Sequence, residues 1–188
     1  MEEEIRPGYV RVSEVLRPWY DFDKVPPEIL ERKMKIGTNV HNAIKMDYLG
    51  LPFVLNDEER GYFDSYLQWK STFSLKLEMC EQRYYDDLLK ITGCIDGIMS
   101  FPYDDEKVLV DWKTSSAFDS KNATVWQMQG TMYWHLLNQI EYPLLSNRFL
   151  FVQLSPTGDF PRVHEFHYKS EIMAKCAAAV ELYWLFAR

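Results

Sequence analysis

Two carboxylates and a lysine are the residues best suited to chemistry in this chain. They fall in two fragments, Ile91-Thr-Gly-Cys-Ile-Asp96-Gly and Val108-Leu-Val-Asp111-Trp-Lys113-Thr-Ser. The second fragment reads as a strand. Strand side chains alternate, so Asp111 and Lys113 share one face, and Val108 and Val110 take the other. Asp96 belongs to the strand before, across a short hairpin, and antiparallel pairing brings it toward Asp111. Carboxylates that close repel unless something neutralises them. A hard divalent cation does so, and Mg²⁺ prefers such oxygen ligands. The backbone carbonyl of Trp112 is a candidate for a further ligand. A lysine beside such a cation either handles the attacking water or stabilises charge growing on a phosphate. These parts suit hydrolysis of a phosphodiester.

The dipeptide spacing alone is weak evidence. Acid-x-Lys occurs four times, at Glu31/Lys33, Asp105/Lys107, Asp111/Lys113 and Asp119/Lys121. The other three lie in helix or turn segments, where a solvated charge pair is the bland explanation. Only Asp111-Trp-Lys113 follows an apolar strand, where ionised groups need partners. Its competitor is a structural Asp–Lys pair. His41 stands four residues after Gly37, hence on the same helical face, and is a candidate ligand or a capping histidine. Gln129 and Tyr133 are likewise i,i+4 neighbours, able to bond a phosphate or brace the lysine strand. Gln127 points away from them. Glu81, fifteen residues before Asp96, is a possible further acidic ligand, with Glu78 as its rival. His135, His164 and His167 form no zinc constellation with Cys80, Cys94 and Cys176. No Gly-rich loop ends in Lys-Ser or Lys-Thr, which argues against ATP-driven activity.

These residues need a scaffold, and 188 residues suffice for one domain with a single core. A net charge of −7 excludes bulk-charge coating of nucleic acid but not a local site. Lys33, Lys35, Lys45, Lys121, Arg11 and Arg17 are candidates for a basic rim. Trp19, Tyr20, Trp112, Phe118 and Trp126 either stack on unpaired bases or pack the core. Three cysteines make no disulfide framework and suit a reducing compartment. No apolar run reaches membrane-spanning length, and the acidic N-terminus is no secretory signal. The expected setting is intracellular: cytoplasm, host cytoplasm for a viral protein, or an organellar matrix.

Periodicity predicts a short helix over 10–17 stopped by Pro18, and a helix from Glu28 to Leu49 broken near Gly37. A third helix covers about 57–75, capped by Asn56 or Asp57. Strands follow at 78–85 and 90–100, joined by a turn at Asp86-Asp87. Pro102 to Glu106 is a second turn, and Lys107–Thr114 the third strand. A helix from Ala123 to Ile140, strands 148–154 and 162–168, and a helix over 170–187 complete the order. That order defines an α/β fold with a mixed central sheet flanked by helices. A single domain over 1–188 is expected, its helical part (about 1–75) packed on a core of about 78–188.

Together the motifs resemble the RecB-like exonuclease branch of the PD-(D/E)xK nuclease superfamily. The match runs from Gly37-Thr-Asn-Val-His41 through Gly93-Cys-Ile-Asp96 and Val110-Asp111-Trp-Lys113-Thr-Ser115 to Gln129-Gly-Thr-Met-Tyr133. It is similar to the stand-alone members, phage exonucleases and the mitochondrial genome maintenance exonuclease among them. The resemblance implies a restriction-endonuclease-like core and Mg²⁺- or Mn²⁺-dependent cleavage of DNA, single-stranded or at ends. His41, Asp96 and Asp111 would hold the ion, with Glu81 a less secure match. Lys113 would assist the water, and Gln129 and Tyr133 would support it. The four cysteines that hold an iron–sulfur cluster in some relatives are missing, so none is expected. A helicase or other replication or recombination protein is a possible partner, and a membrane is not. The alternatives are a structure-selective or site-specific endonuclease using the same site, and a non-catalytic DNA-binding or protein-interaction module.

Overall fold

The computed structural model describes residues 5–20, 25–102, 104–115 and 118–187. Its elements are β1 (Val10–Arg11), α1 (Val12–Leu16), α2 (Pro27–Leu49), α3 (Asp57–Thr72), β2 (Lys76–Asp86), β3 (Ile91–Phe101), β4 (Asp104–Lys113), α4 (Ser120–Gln139), β5 (Leu145–Gln153), β6 (Arg162–His167) and α5 (Ser170–Phe186). They build an α/β fold, a mixed central sheet flanked by helices, consistent with a restriction-endonuclease-like core.

Local chemistry explains the boundaries. Helix α2 starts with Pro27 in its first turn and ends at Gly50, whose left-handed φ of 67° closes the last turn. Asn56 caps α3 in a box with Glu59: its side chain takes the Glu59 N–H, and the Glu59 carboxylate takes the Asn56 N–H. The Asp86 carboxylate accepts the N–H groups of Leu88 and Leu89 and so shapes the β2–β3 turn.

Three expectations need correction. Helix α2 is unbroken at Gly37, because tertiary packing outweighs one glycine's helix cost. Its missing Cβ has a use, since an added one would lie 3.3 Å from Thr114 Oγ1, just past Lys113. Helix α1 stops at Leu16, and Pro18 sits inside a 3₁₀ turn over Arg17–Trp19, where its fixed φ fits. The second turn is shorter than Pro102–Glu106, because β4 already begins at Asp104.

The sheet buries both faces. Ile98, Leu109, Phe149 and Phe151 pack with α1, α4 and α5. The alternating set Met99, Val108, Val110, Leu150 and Val152 packs with α2 and α3. Pairing is antiparallel for β2–β3, β3–β4 and β5–β6, and parallel for β1–β3 and β4–β5. Strand β3 pairs with β2 along one edge. Its other edge is divided: β1 pairs at Ile91 and Thr92, and β4 from Gly97 to Phe101. Between them, Gly93 to Asp96 have no ladder partner on that edge, and the sheet forks there. No helix among the described residues is long and apolar enough to cross a membrane.

Candidate metal centre

The fork gathers the chemical residues. Gly97 opposes Val110 in the last rung of the β3–β4 ladder. One residue beyond, the Asp96 carboxylate reaches across and accepts the Trp112 N–H at 2.9 Å. The pairing is antiparallel, as assumed from sequence, and Asp96 lies beside the end of β4 that carries Asp111. Helix α2 brings His41 to the same place. His41 Nε2 donates to the Trp112 carbonyl at 3.0 Å. Its Nδ1 faces Glu81 Oε1 at 3.1 Å and Asp96 Oδ2 at 3.5 Å. His41, Glu81 and Asp96 each offer a ligand atom within 4.8 Å of the others, the one such group among the described residues.

Glu81 joins this triad through a backbone exception. Its φ of 51° is left-handed, unusual for a residue with a side chain. Cys80 pairs with Gly97 and Gln82 with Ile95, so Glu81 falls opposite Asp96. Such conformations cost about 1–3 kcal/mol and gather at functional sites. Glu78, its rival, lies elsewhere and bonds Ser100 and Lys76.

Asp111 and Lys113 share a face, as their spacing requires, and their charged groups stand 2.6 Å apart. Gln129 from α4 spans the pair: its Nε2 donates to Asp111 Oδ1 at 2.9 Å and its Oε1 accepts from Lys113 Nζ at 3.1 Å. Asp111 Oδ2 is buried and accepts no hydrogen bond of good angle, although the ammonium is close. Tyr133 lies one turn further along α4, against Gly93, where an added Cβ would come within 2.6 Å of its ring. Gln127 turns away to Thr131 and the His167 carbonyl. His135 pairs with Asp86, His164 stacks on Phe118, and His167 faces Glu165, all outside the triad.

Two sequence readings change emphasis here. Asp111 is outside the triad and is held by Lys113 and Gln129. The Trp112 carbonyl accepts from His41, which fixes the imidazole so that Nδ1 faces the carboxylates. Metal-bound histidines commonly anchor their second nitrogen in this way. The Trp112 ring packs in the core against Tyr66 and Trp69, and Trp126 packs on Phe151, so neither stacks on bases. Arg83 was missed by the sequence reading and lines the cleft above the triad with Arg11 and Lys45. Its place two residues after Glu81 was the available signal.

The electrostatics are those of crowded acids. Burial pushes the Asp96 carboxyl well above the usual range, and the Asp111 charge adds to it. Burial also raises Asp111, with Lys113 opposing. For His41, burial works downward, yet Asp96 and Glu81 overcome it and raise the ring to about 9. Burial opposes the charge on Lys113 too, but Asp111, Tyr20 and Asp96 lift it above the usual lysine value. The cluster calls for cations, and the donors present fit a divalent ion: one imidazole nitrogen and two carboxylates, with a third carboxylate alongside.

No protein family model matches the chain, and no curated protein does. Among solved structures it is similar to that of SSO0001, with a TM-score of 0.49 and 13% identity, over 96% of this chain and 78% of that one. It is also similar to a phage related exonuclease from Haemophilus somnus 129PT, with a TM-score of 0.46 and 14% identity, over 94% and 93%.

Proposed function

We propose that the chain is a metal-dependent deoxyribonuclease of the RecB-like, PD-(D/E)xK kind, hydrolysing phosphodiester bonds as an exonuclease on single-stranded DNA or DNA ends. The observation that carries this reading is the juxtaposition of the His41–Glu81–Asp96 triad with Lys113, itself fixed by Asp111 and Gln129. Residues 1–188 act as one unit, since α2 and the sheet each supply part of the site.

His41 through Nδ1, Glu81 and Asp96 would hold Mg²⁺ or Mn²⁺, with Asp111 at the flank. The ion would supply Lewis-acid polarisation of the phosphate and neutralise acidic charge. The protein's own residues do the rest. Asp111 keeps Lys113 charged, so Lys113 acts as an ammonium rather than a base and stabilises negative charge growing on the phosphate. Gln129 limits the swing of both side chains. The Trp112 carbonyl holds the His41 ring in one tautomer. Tyr133 walls the fork beside Gly93.

The test is cleavage of end-labelled DNA with Mg²⁺ or Mn²⁺, comparing wild type with Asp111→Ala and Lys113→Ala. The expected result is metal-dependent cleavage that falls by about two to four orders of magnitude in either variant. Equal cleavage by all three proteins ends the assignment. A circular single strand separates the exonuclease from the endonuclease reading, because only the latter cuts it.

A further inference from the structure

Gln153 is a buried polar side chain, 5% exposed, to which the chemistry at the fork gives no part. Burying an amide costs free energy unless its hydrogen bonds are made. Both ends of this one are engaged. Its Nε2 donates to the Ser115 carbonyl at 2.7 Å, and its Oε1 lies 3.4 Å from His164 Nε2. These bonds stand at the end of the strand that carries Lys113. Gln153 is the β5 partner of Lys113 in the parallel ladder. Paired residues project to one face, so Gln153 shares the face on which the Lys113 ammonium lies 5.1 Å from the Phe151 ring centroid. The backbone ladder goes one bond further, from the Leu154 N–H to the Lys113 carbonyl at 2.8 Å. It cannot go on. The Ser155 N–H is taken by Ser65 Oγ of α3 at 3.0 Å, and Pro156 has no N–H to give. The Gln153 amide makes the next bond in their place, as a side-chain rung to Ser115.

His164 extends the brace. It pairs with Phe151 across β5 and β6, and its ring stacks on Phe118 with centroids 3.7 Å apart. Ser115 and Phe118 both lie on the connection from Lys113 to α4, the helix that carries Gln129. Gln153 and His164 thus hold that connection at two points.

We propose that Gln153 is a positioning residue for Lys113: its amide carries the β4–β5 ladder past the strand end and fixes the backbone from which the ammonium meets a substrate phosphate. The role rests on the nuclease reading for the phosphate but not for the hold on Lys113. Strand ends open locally at little cost in free energy. A charge that acts on a transition state needs its place fixed to about 0.5 Å, and a misplacement of about 1 Å costs about 100-fold in rate. Asp111 and Gln129 hold the ammonium end of the lysine. Gln153 holds its backbone end, so the two holds act on one side chain from opposite ends.

The experiment compares Gln153→Met and Gln153→Glu with Ser65→Ala in the full chain. Methionine keeps the length of the side chain but donates nothing, and glutamate sets an oxygen against the Ser115 carbonyl. Ser65→Ala removes the neighbouring bond to the Ser155 N–H and leaves the rung intact, so it measures what a lost bond at this end of β5 does by itself. The freedom of Lys113 is read by reductive methylation with formaldehyde and cyanoborohydride, followed by mass spectrometry, with neither metal nor DNA present. Cleavage is read in single turnover at saturating Mn²⁺ and DNA, and Mn²⁺ affinity by calorimetry. Both Gln153 variants are expected to methylate Lys113 about ten-fold faster and to cleave about 10–100-fold more slowly, with Mn²⁺ affinity within about two-fold of wild type. Either of them, shown folded by its urea transition, suffices for the comparison. Ser65→Ala is expected to match wild type in all three readings. A wild-type methylation rate in the Gln153 variants overturns the proposal, as does a loss of cleavage in Ser65→Ala equal to theirs. If wild type cleaves no DNA yet the Gln153 variants free Lys113, the nuclease reading falls and the hold on Lys113 stands. If wild type cleaves and the Gln153 variants cleave like it, the positioning role alone falls.

Discussion

The molecule holds two histidine–aspartate pairs of similar burial and opposite character. At the hairpin end, His135 Nε2 lies 2.8 Å from Asp86 Oδ2, and Asp86 Oδ1 accepts two backbone N–H groups at 2.7 and 2.8 Å. At the fork, His41 is shared between Glu81 and Asp96, and Asp96 takes a single backbone N–H. Asp86 is 3% exposed and Asp96 8%. Residue type and burial therefore do not separate them. The ratio of donors to negative charges does. Asp86 meets three donors, and its neighbour Asp87 is turned out to solvent and takes Tyr9 and Lys90 as partners. Asp96 faces Glu81 and Asp111, and its pKa is pushed up by burial and by the Asp111 charge. A carboxylate saturated with donors pins a turn, whereas one crowded by other acids is a place for a cation.

The largest expected effect breaks the fork and spares the hairpin. Asp96→Asn removes one of the triad's two carboxylates but keeps its shape. Mn²⁺ affinity, read by calorimetry, is expected to fall about 100-fold or more, since even outer-shell partners of metal ligands are worth about 10–100-fold. The metal-free variant is expected to melt no lower than wild type, because it also relieves acid crowding. An unchanged Mn²⁺ affinity would remove Asp96 from the metal centre and with it the contrast between the two pairs.

An intermediate effect is set by pH. The His41 ring is raised from 6.5 to about 9 in the metal-free fold. A raised folded value means that the fold binds the proton more tightly than the unfolded chain does. The stabilisation is fully present below pH 6.5 and is lost as pH rises through about 9. Metal must displace that proton from Nδ1, so affinity moves the other way. Mn²⁺ binding is expected to tighten by about ten-fold per pH unit between 6.5 and 9 and then level off. His41→Gln is expected to flatten this slope. A Mn²⁺ affinity independent of pH in wild type would show that the ring is not a ligand.

Much of this contrast was legible before any coordinates. Alternation placed Asp111 and Lys113 on one face, and helical spacing placed Gly37 and His41, and Gln129 and Tyr133, on theirs. Those are local, periodic facts. The turn at Asp86-Asp87 was legible for the same reason. The role of Glu81 was not fully legible, because its entry depends on a left-handed residue inside a strand, which no alternation pattern encodes. The division of labour between Asp111 and the triad was hidden as well. It depends on where β3 and β4 part, a long-range register that sequence spacing leaves free. Arg83 was overlooked because its significance comes from the cleft, and the cleft exists only when β1, β2 and α2 meet.

The smallest expected effect tests the other pair. His135→Ala deletes one of three donors to Asp86 and leaves the two backbone N–H groups in place. The hairpin turn should persist, because those two bonds are local and are made within three residues of Asp86. What is lost is the tie from α4 to the turn, a hydrogen bond to a charged acceptor worth about 1–3 kcal/mol, and His135 is only partly buried, which puts the cost toward the lower end. Urea unfolding is expected to lose about 1 kcal/mol, with Mn²⁺ affinity and cleavage rate unchanged. Gln129 lies on the same helix, and a rigid α4 is the route by which the disturbance would reach it. Gln129 is anchored independently by Asp111 and Lys113, which insulates it. A large drop in cleavage with little loss of stability would reverse the assignment, making Asp86–His135 part of the working site rather than a turn clamp.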